Sequence, residues 1–438
     1  MFSSLKFGGQ QICQLVKTSD RCVYSIASLH SNNFHFNAHR TTTEKSLPRR
    51  LNLYKSGDSV LKENLSSSLL RRHSTNGRNG NLASVTPAAI GKAVSKDERR
   101  EFMAVFPDIV RDLTETHRQT EIPDVTKWYS KVLQYNVPGG KKNRGLALIL
   151  AYRMLAPQSA QTPEKIREAQ IMGWCIEMLQ AFFLVLDDMI DGSETRRGRI
   201  CWYRNPSVGL NAANDGIFIE SGIYQLLRRY FVDKPYYFQA IDLFHDATHK
   251  TIMGQALDLL TAQSIAKYKL DKFTMDRYNS IVKYKTSYYS FHLPVALAMY
   301  MAGISNAEQH RQAKILLLEM GNFFQVQDDY MDCFGDPAVT GKIGTDIQDG
   351  KCSWLAVVAL QRCTPDQRKI LEECYGSHDP EKVDAVRNVY NQINLPHIFT
   401  TYEEDSYNLI QTHIQQMSGG LNLNLFFKLL DKIYKRDN

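Results

Sequence analysis

The sequence predicts an all-α protein, a single large helical bundle around a central cavity. From about Ser95 onward, segments rich in Glu, Leu, Lys and Gln recur at helical lengths, and no alternating strand pattern stands out. Two helix starts are explicit, Thr162-Pro163-Glu164 and Thr364-Pro365-Asp366, each with Thr as N-cap and Pro at the first helical position. One acidic pattern, Asp-Asp-X-X-Asp, occurs twice, each time at the end of an apolar run of helical character.

In chain order, residues 1–94 read as a mitochondrial transit peptide and a disordered linker, with the cytosol as the alternative address if an internal start is used. Residues 1–95 hold thirteen Lys and Arg against four acids, are rich in Ser and Asn, and lack a secretory apolar core. Arg71-Arg72-His73-Ser74 is the expected processing region, and Asn76–Ser84 a flexible polar link. Residues 95–438 read as a single helical domain, the one that would carry any catalytic site. Its helices break at Val137-Pro138-Gly139-Gly140, Asn205-Pro206 and Gly335-Asp336-Pro337. Ile176, Leu179, Phe183 and Leu186 keep one face of the helix after Thr162 apolar.

Composition narrows the function. The leader carries the basicity, leaving 40 basic and 42 acidic residues for the rest of the chain, so no nucleic-acid partner is expected. A hydrophobic share of 43% supports a sizeable core. No apolar run reaches about eighteen residues, so no membrane span is expected. The eight Cys show no metal-ligand spacing and read as buried thiols.

The chemistry lies in the two triplets, Asp187, Asp188, Asp191 and Asp328, Asp329, Asp332. On a helix, the first and last carboxylates of each come together one turn apart. Gly192 marks a helix C-terminus just past the first triplet, where the macrodipole disfavours acids. Unpaired charge at such a site is costly, and an all-carboxylate set calls for a hard divalent ion, Mg²⁺ above all. Helices carrying the triplets should face each other across the cavity. Basic segments accompany them: Gly139–Gly145 opens a helix, Thr195–Arg199 follows the first triplet, Lys283–Thr286 lies on a later helix, and Gly341–Lys351 follows the second. Acids for metal and cations for phosphate specify a diphosphate. Neither a Walker loop nor a GxGxxG fingerprint is present, and the remaining lining is aromatic and aliphatic, so the ligand has a greasy tail.

These motifs, read as GGKKNRG, LQAFFLVLDDMIDGSETRRG, GQALDLLTA, KYKTSYYSFHLP, GNFFQVQDDYMDCFGDP and GKIGTDIQDGKCSWL, resemble the trans-isoprenyl diphosphate synthase family, most closely its animal farnesyl diphosphate synthases. The resemblance implies the isoprenoid synthase fold, a homodimer, and isopentenyl and allylic diphosphates as substrates. It places three Mg²⁺ on the two triplets, with Asp258 as a further acid of the metal shell. By the same resemblance, Arg196, Lys285 and Lys342 grip the allylic diphosphate, with Lys351 a further cation on substrate. Gly140, Lys141, Arg144, Gln180 and Arg197 match the isopentenyl diphosphate site. Thr286, Gln325 and the Lys285 carbonyl match groups that stabilise the carbocation.

Phe182 and Phe183, about a turn before Asp187, match the floor that stops growth at fifteen carbons. Three positions depart from the family text: Leu186 replaces a small residue, Gly350 an Asn, and the tail ends Arg436-Asp437-Asn438. A mixed ten- and fifteen-carbon product is compatible with them. A terpene synthase on the same fold needs no second diphosphate site, and a non-catalytic partner subunit would show lost acids; the full cation and acid sets argue against both. His245 and His249 have zinc-like spacing but no third ligand, and read as ordinary histidines.

Overall fold

The computed structural model describes residues 96–118, 122–336 and 344–434. They belong to one compact unit, Pro87–Asn438. The leader with its processing region, Lys342, and the tail Arg436-Asp437-Asn438 lie outside the described residues.

The unit is helical, as the pattern of periodic segments and breaks requires. Helices α1 (Lys96–Ala104), α2 (Phe106–Arg118) and α3 (Pro123–Asn136) lead through the glycine turn to α4 (Asn143–Leu155). Helix α5 (Pro163–Ile190) starts where Thr162 Oγ1 accepts the Lys165 N–H, and ends before Gly192, whose φ is +66°. A ribbon of β1 (Thr195–Arg196) and β2 (Arg199–Ile200) follows, with Arg196 opposite Arg199. Next come α6 (Ala212–Phe231), α7 (Tyr237–Gln263), the short α8 (Ile265–Tyr268) and α9 (Met275–Val282). Residues Lys283–His292 are π-helical and run into α10 (Leu293–Met301). Helix α11 (Ala307–Phe334) carries the second triplet at its end. The chain closes with α12 (Trp354–Arg362), α13 (Pro365–Cys374), α14 (Pro380–Gln392), α15 (Leu395–Gln416) and α16 (Leu423–Tyr434). Thr364 and Gln367 form a reciprocal capping box at the head of α13.

Two cores organise this chain. The larger gathers α1–α6, α10, α11 and α16 around buried α5, with Phe102 stacked on Trp174 at 4.6 Å. The smaller is built from α9 and α12–α15 around Trp354, Tyr375 and Tyr390. By length and composition α5 would qualify as a membrane span, but 78% of its most apolar window is buried within the fold. That burial explains why it is apolar on nearly every side.

Between the cores runs the π-helical segment, where sequence periodicity anticipates an ordinary helix. Both its neighbours meet it with glycine. A Cβ on Gly254 of α7 would lie 2.1 Å from the Lys285 main-chain nitrogen, and one on Gly321 of α11 would lie 2.3 Å from Ser287 Oγ. Backbones this close leave no room for a side chain, so α7 and α11 clamp the segment that carries Lys285 and Thr286.

Candidate active site

The first triplet closes α5, where main-chain carbonyls already make the potential negative. Each acid is therefore met by a donor. Asp188 Oδ1 accepts from Arg196 Nε at 2.9 Å and from its terminal nitrogen at 2.5 Å. Asp191 Oδ1 accepts from Lys351 Nζ at 3.0 Å. Asp187 Oδ1 accepts from the Gln255 amide at 3.0 Å, with Lys285 Nζ 3.8 Å away. Asp258, on α7, accepts from Lys285 Nζ at 2.6 Å and lies 3.6 Å from Lys351. Two ammonium groups thus thread between three carboxylates from two helices.

The electrostatics follow from that crowding. Burial pushes the Asp191 carboxyl up, and the neighbouring Asp187 charge adds to it against Lys351. Burial acts the same way on Asp258, but Lys285 and Lys351 outweigh it and hold the group below the usual carboxylate range. For Lys285 and Lys351 burial favours the neutral amine, yet the surrounding carboxylates prevail and raise both.

The second triplet is held differently. Asp329 is buried at the head of α12: its Oδ2 accepts the Trp354 N–H at 2.8 Å and its Oδ1 the Gln325 amide at 2.9 Å. Burial pushes its carboxyl up to about 7 despite those donors. Asp332 Oδ2 accepts the Asp346 N–H at 3.0 Å. Gln325 in turn accepts from Thr286 Oγ1 at 3.0 Å, so a hydrogen-bond chain runs from the π-helical segment to Asp329.

This donor set fits a hard divalent ion. The ligands on offer are all carboxylate oxygens, and among the described residues no three carboxylates, imidazoles or thiols close on one point. Mg²⁺ typically takes one or two carboxylates and completes its shell with water and phosphate oxygens. Asp188 is gripped by Arg196 and Asp329 has both oxygens engaged. The outer acids, Asp187, Asp191, Asp328 and Asp332, are less buried than Asp188 and Asp329 and so the more accessible to an ion.

A second cationic group flanks the glycine turn. Gly140 takes a φ of +86°, and the Arg197 guanidinium lies over it, donating to the Gly139 carbonyl. Arg144, in the first turn of α4, donates to Ser290 Oγ at 2.7 Å and to Tyr289 Oη at 3.0 Å, stacking over that ring. Lys141 is exposed and Gln180 half-buried on α5. Burial pulls Arg197 below its ordinary value.

Phe182 and Phe183 lie 5.1 Å apart between ring centres but point to different neighbours. Phe182 shares its face of α5 with Leu186, and both pack towards Gly216 of α6. Phe183 meets Tyr289 edge-on at 5.2 Å. His245 stacks on Tyr224, with a ring nitrogen 3.1 Å from its hydroxyl. A cavity of about 730 Å³ between α9, α12 and α15 shares only Trp354 with these groups.

Gln255, Tyr289, Ser290 and Trp354 lie within the motifs GQALDLLTA, KYKTSYYSFHLP and GKIGTDIQDGKCSWL, but their pairings join positions far apart in the chain. Glu177, which accepts the Gly145 N–H, shows only as a lone acid in the apolar run Trp174–Leu179.

Residues 126–393 match the family model described as polyprenyl synthetase. Among curated relatives, the farnesyl pyrophosphate synthase of Nezara viridula is 56% identical over 372 residues, 85% of this chain and 91% of that one. The farnesyl pyrophosphate synthase of Homo sapiens is 52% identical, covering 78% of this chain and 82% of that one. Among solved structures, the T. brucei farnesyl diphosphate synthase complexed with risedronate superposes with a TM-score of 0.72 at 34% identity. That match covers 78% of this chain and 99% of the other.

Proposed function

The chain belongs to the polyprenyl synthetase family, and on that premise we propose how its site joins isopentenyl diphosphate to dimethylallyl and geranyl diphosphate to give farnesyl diphosphate. It is a prenyltransferase of isoprenoid biosynthesis. One observation carries the assignment of substrates: there are two cationic groups, not one. Arg196, Lys285 and Lys351 stand among the acids, while Lys141, Arg144 and Arg197 cluster at the glycine turn. Two groups suit two diphosphates.

The reaction follows from that division. Arg196, Lys285 and Lys351 hold the allylic diphosphate by its oxygens, and Lys342 joins them by the family resemblance. Asp187, Asp188, Asp191, Asp258, Asp328, Asp329 and Asp332 would hold Mg²⁺, three ions by the family resemblance, which when bound would supply the remaining positive charge for cleavage of the allylic C–O bond. By the family resemblance, Thr286, Gln325 and the Lys285 carbonyl stabilise the resulting carbocation. Gly140, Lys141, Arg144, Gln180 and Arg197 hold isopentenyl diphosphate so that its double bond forms the new C–C bond. The proton lost from the adjacent carbon passes to the released diphosphate.

Phe182, Phe183 and Leu186 close the tail end of the cavity. Exposed Ile217, Phe238, Met253 and Leu260 on α6 and α7 support a homodimer through that face. Light scattering of the purified chain tests it, with a monomer as the failing result. The basic leader supports a mitochondrial address, which imaging of a tagged full chain against one lacking residues 1–94 would test.

The decisive assay supplies the purified full chain with Mg²⁺, isopentenyl diphosphate and either allylic starter, and identifies the dephosphorylated products by mass. Farnesol as the main product is expected. Abundant geraniol would shift the product assignment towards early release at Leu186. Hydrocarbon formed without isopentenyl diphosphate, with no elongation in its presence, would overturn the reading in favour of a terpene synthase.

A further inference from the structure

Lys142 interrupts the glycine turn in an unusual way. It takes a φ of +58°, the left-handed region that a side chain disfavours, and its side chain is 1% exposed although it follows solvent-facing Lys141. The ammonium donates to the Val137 carbonyl at 2.5 Å and to Glu177 Oε2 at 3.3 Å. Glu177 is equally buried, and its other oxygen accepts the Gly145 N–H at 2.9 Å in the first turn of α4. The Trp174 ring lies 5.5 Å from the ammonium. One carboxylate from α5 therefore ties down both ends of the segment from Val137 to Gly145, the Gly145 end directly and the Val137 end through Lys142.

Between those tied ends sit Gly140, Lys141 and Arg144. The turn has no strand pairing of its own, so its shape depends on such ties. Backbone strain at Lys142 is tolerated because the buried pair compensates for it. A buried ammonium with one carboxylate and one carbonyl is stable only while both remain, and losing either leaves the other charge stranded.

We propose that Lys142 and Glu177 form a buried clamp that positions the homoallylic diphosphate site, so that affinity for isopentenyl diphosphate depends on the Lys142 ammonium. Lys142 is a positioning residue: it touches the turn, not the substrate. The inference rests on the assignment of Lys141, Arg144 and Arg197 to isopentenyl diphosphate.

The clamp is also sensitive to pH. Burial pulls the Lys142 ammonium down to about 8 against the attraction of Glu177, and Arg197 and Arg144 push in the same direction as burial. Those three groups and Lys432 of α16, which also feels Glu177, are the charges that face it. Loss of the proton above about pH 8 removes the ion pair while leaving the neutral hydrogen bonds.

The test compares Lys142→Gly, Lys142→Met, Lys142→Arg and Glu177→Gln in the full chain. Lys142→Gly relieves the left-handed strain and so offsets part of the cost of stranding Glu177, a relief that Lys142→Met lacks. The expected result is a rise of about tenfold in KM for isopentenyl diphosphate in the Gly, Met and Gln variants. KM for geranyl diphosphate and kcat should stay within about twofold, and Lys142→Arg should recover part of the loss. Wild-type KM for isopentenyl diphosphate should climb above about pH 8, and that limb should vanish in Lys142→Gly. Equal changes in both KM values, a change in kcat alone, or a pH limb that persists in Lys142→Gly would overturn the proposal. Calorimetric titration with isopentenyl diphosphate reads the same shift without turnover. A wild-type chain that binds but does not elongate would thus refute the reaction and leave the clamp to be judged by affinity alone.

Discussion

The two aspartate triplets are the same text in different surroundings, and their middle acids differ most. Asp188 accepts two bonds from the Arg196 guanidinium, which is itself 35% exposed. Asp329 is buried against an amide and a main-chain N–H, and burial pushes it up to about 7. In one copy a partly exposed guanidinium neutralises the charge. In the other the acid is built into the junction of α11 and α12. A repeated motif therefore does not imply a repeated environment. What the triplets share is the π-helical segment, whose Lys285 faces the first and whose Thr286 reaches the second through Gln325.

That shared element offers the largest way to break the pair. Lys285→Met would leave Asp258 and Asp187 without their ammonium, and turnover should fall about a thousandfold, or ~4 kcal/mol. Steady-state rates check this, and a fall under tenfold would mean that Lys351 suffices. Gly254→Ala places a Cβ 2.1 Å from the Lys285 nitrogen. It should cost about 3 kcal/mol of stability and depress both half-reactions together, read by denaturant unfolding and by kcat with each starter.

Truncating the middle acids sharpens the contrast. Asp329→Ala strands two buried donors and should lower the unfolding free energy by about 2 kcal/mol. Asp188→Ala frees a guanidinium that water can reach, and should cost under about 1 kcal/mol of stability. Equal losses in the two variants would erase the distinction.

An effect that depends on pH lies at the far end of the π-helical segment, away from either triplet. There burial lowers the pKa of His292 to about 4, with Lys314, Lys250 and His310 adding to it against Asp246. The unfolded chain binds this proton first as pH falls, so stability should decline between about pH 6.5 and 4 with a limiting slope of ~1.4 kcal/mol per pH unit. His292→Phe should flatten that part of the curve in pH-dependent thermal melts.

Much of this was legible in the chain itself. Thr162 and Thr364 announce their helices because a hydroxyl before Pro satisfies local N–H groups, and those bonds span only three residues. Gly192 ends α5 for an equally local reason. The π-helical turn was not legible, because Gly254 and Gly321 act on it from helices distant in sequence. Phe182 and Phe183 read as one floor, yet adjacent positions on a helix diverge, and Leu186 rather than Phe183 shares the Phe182 face.

By itself, then, the sequence determined the helical class, the position of both acid triplets and the kind of ligand they call for. Local caps, apolar periodicity and charge type depend on neighbours a few residues away. Only the tertiary structure decided which cation meets which acid, that Asp329 is sealed in, and that Glu177 holds the glycine turn through Lys142. Burial and charge pairing across helices depend on distances that the order of residues does not encode.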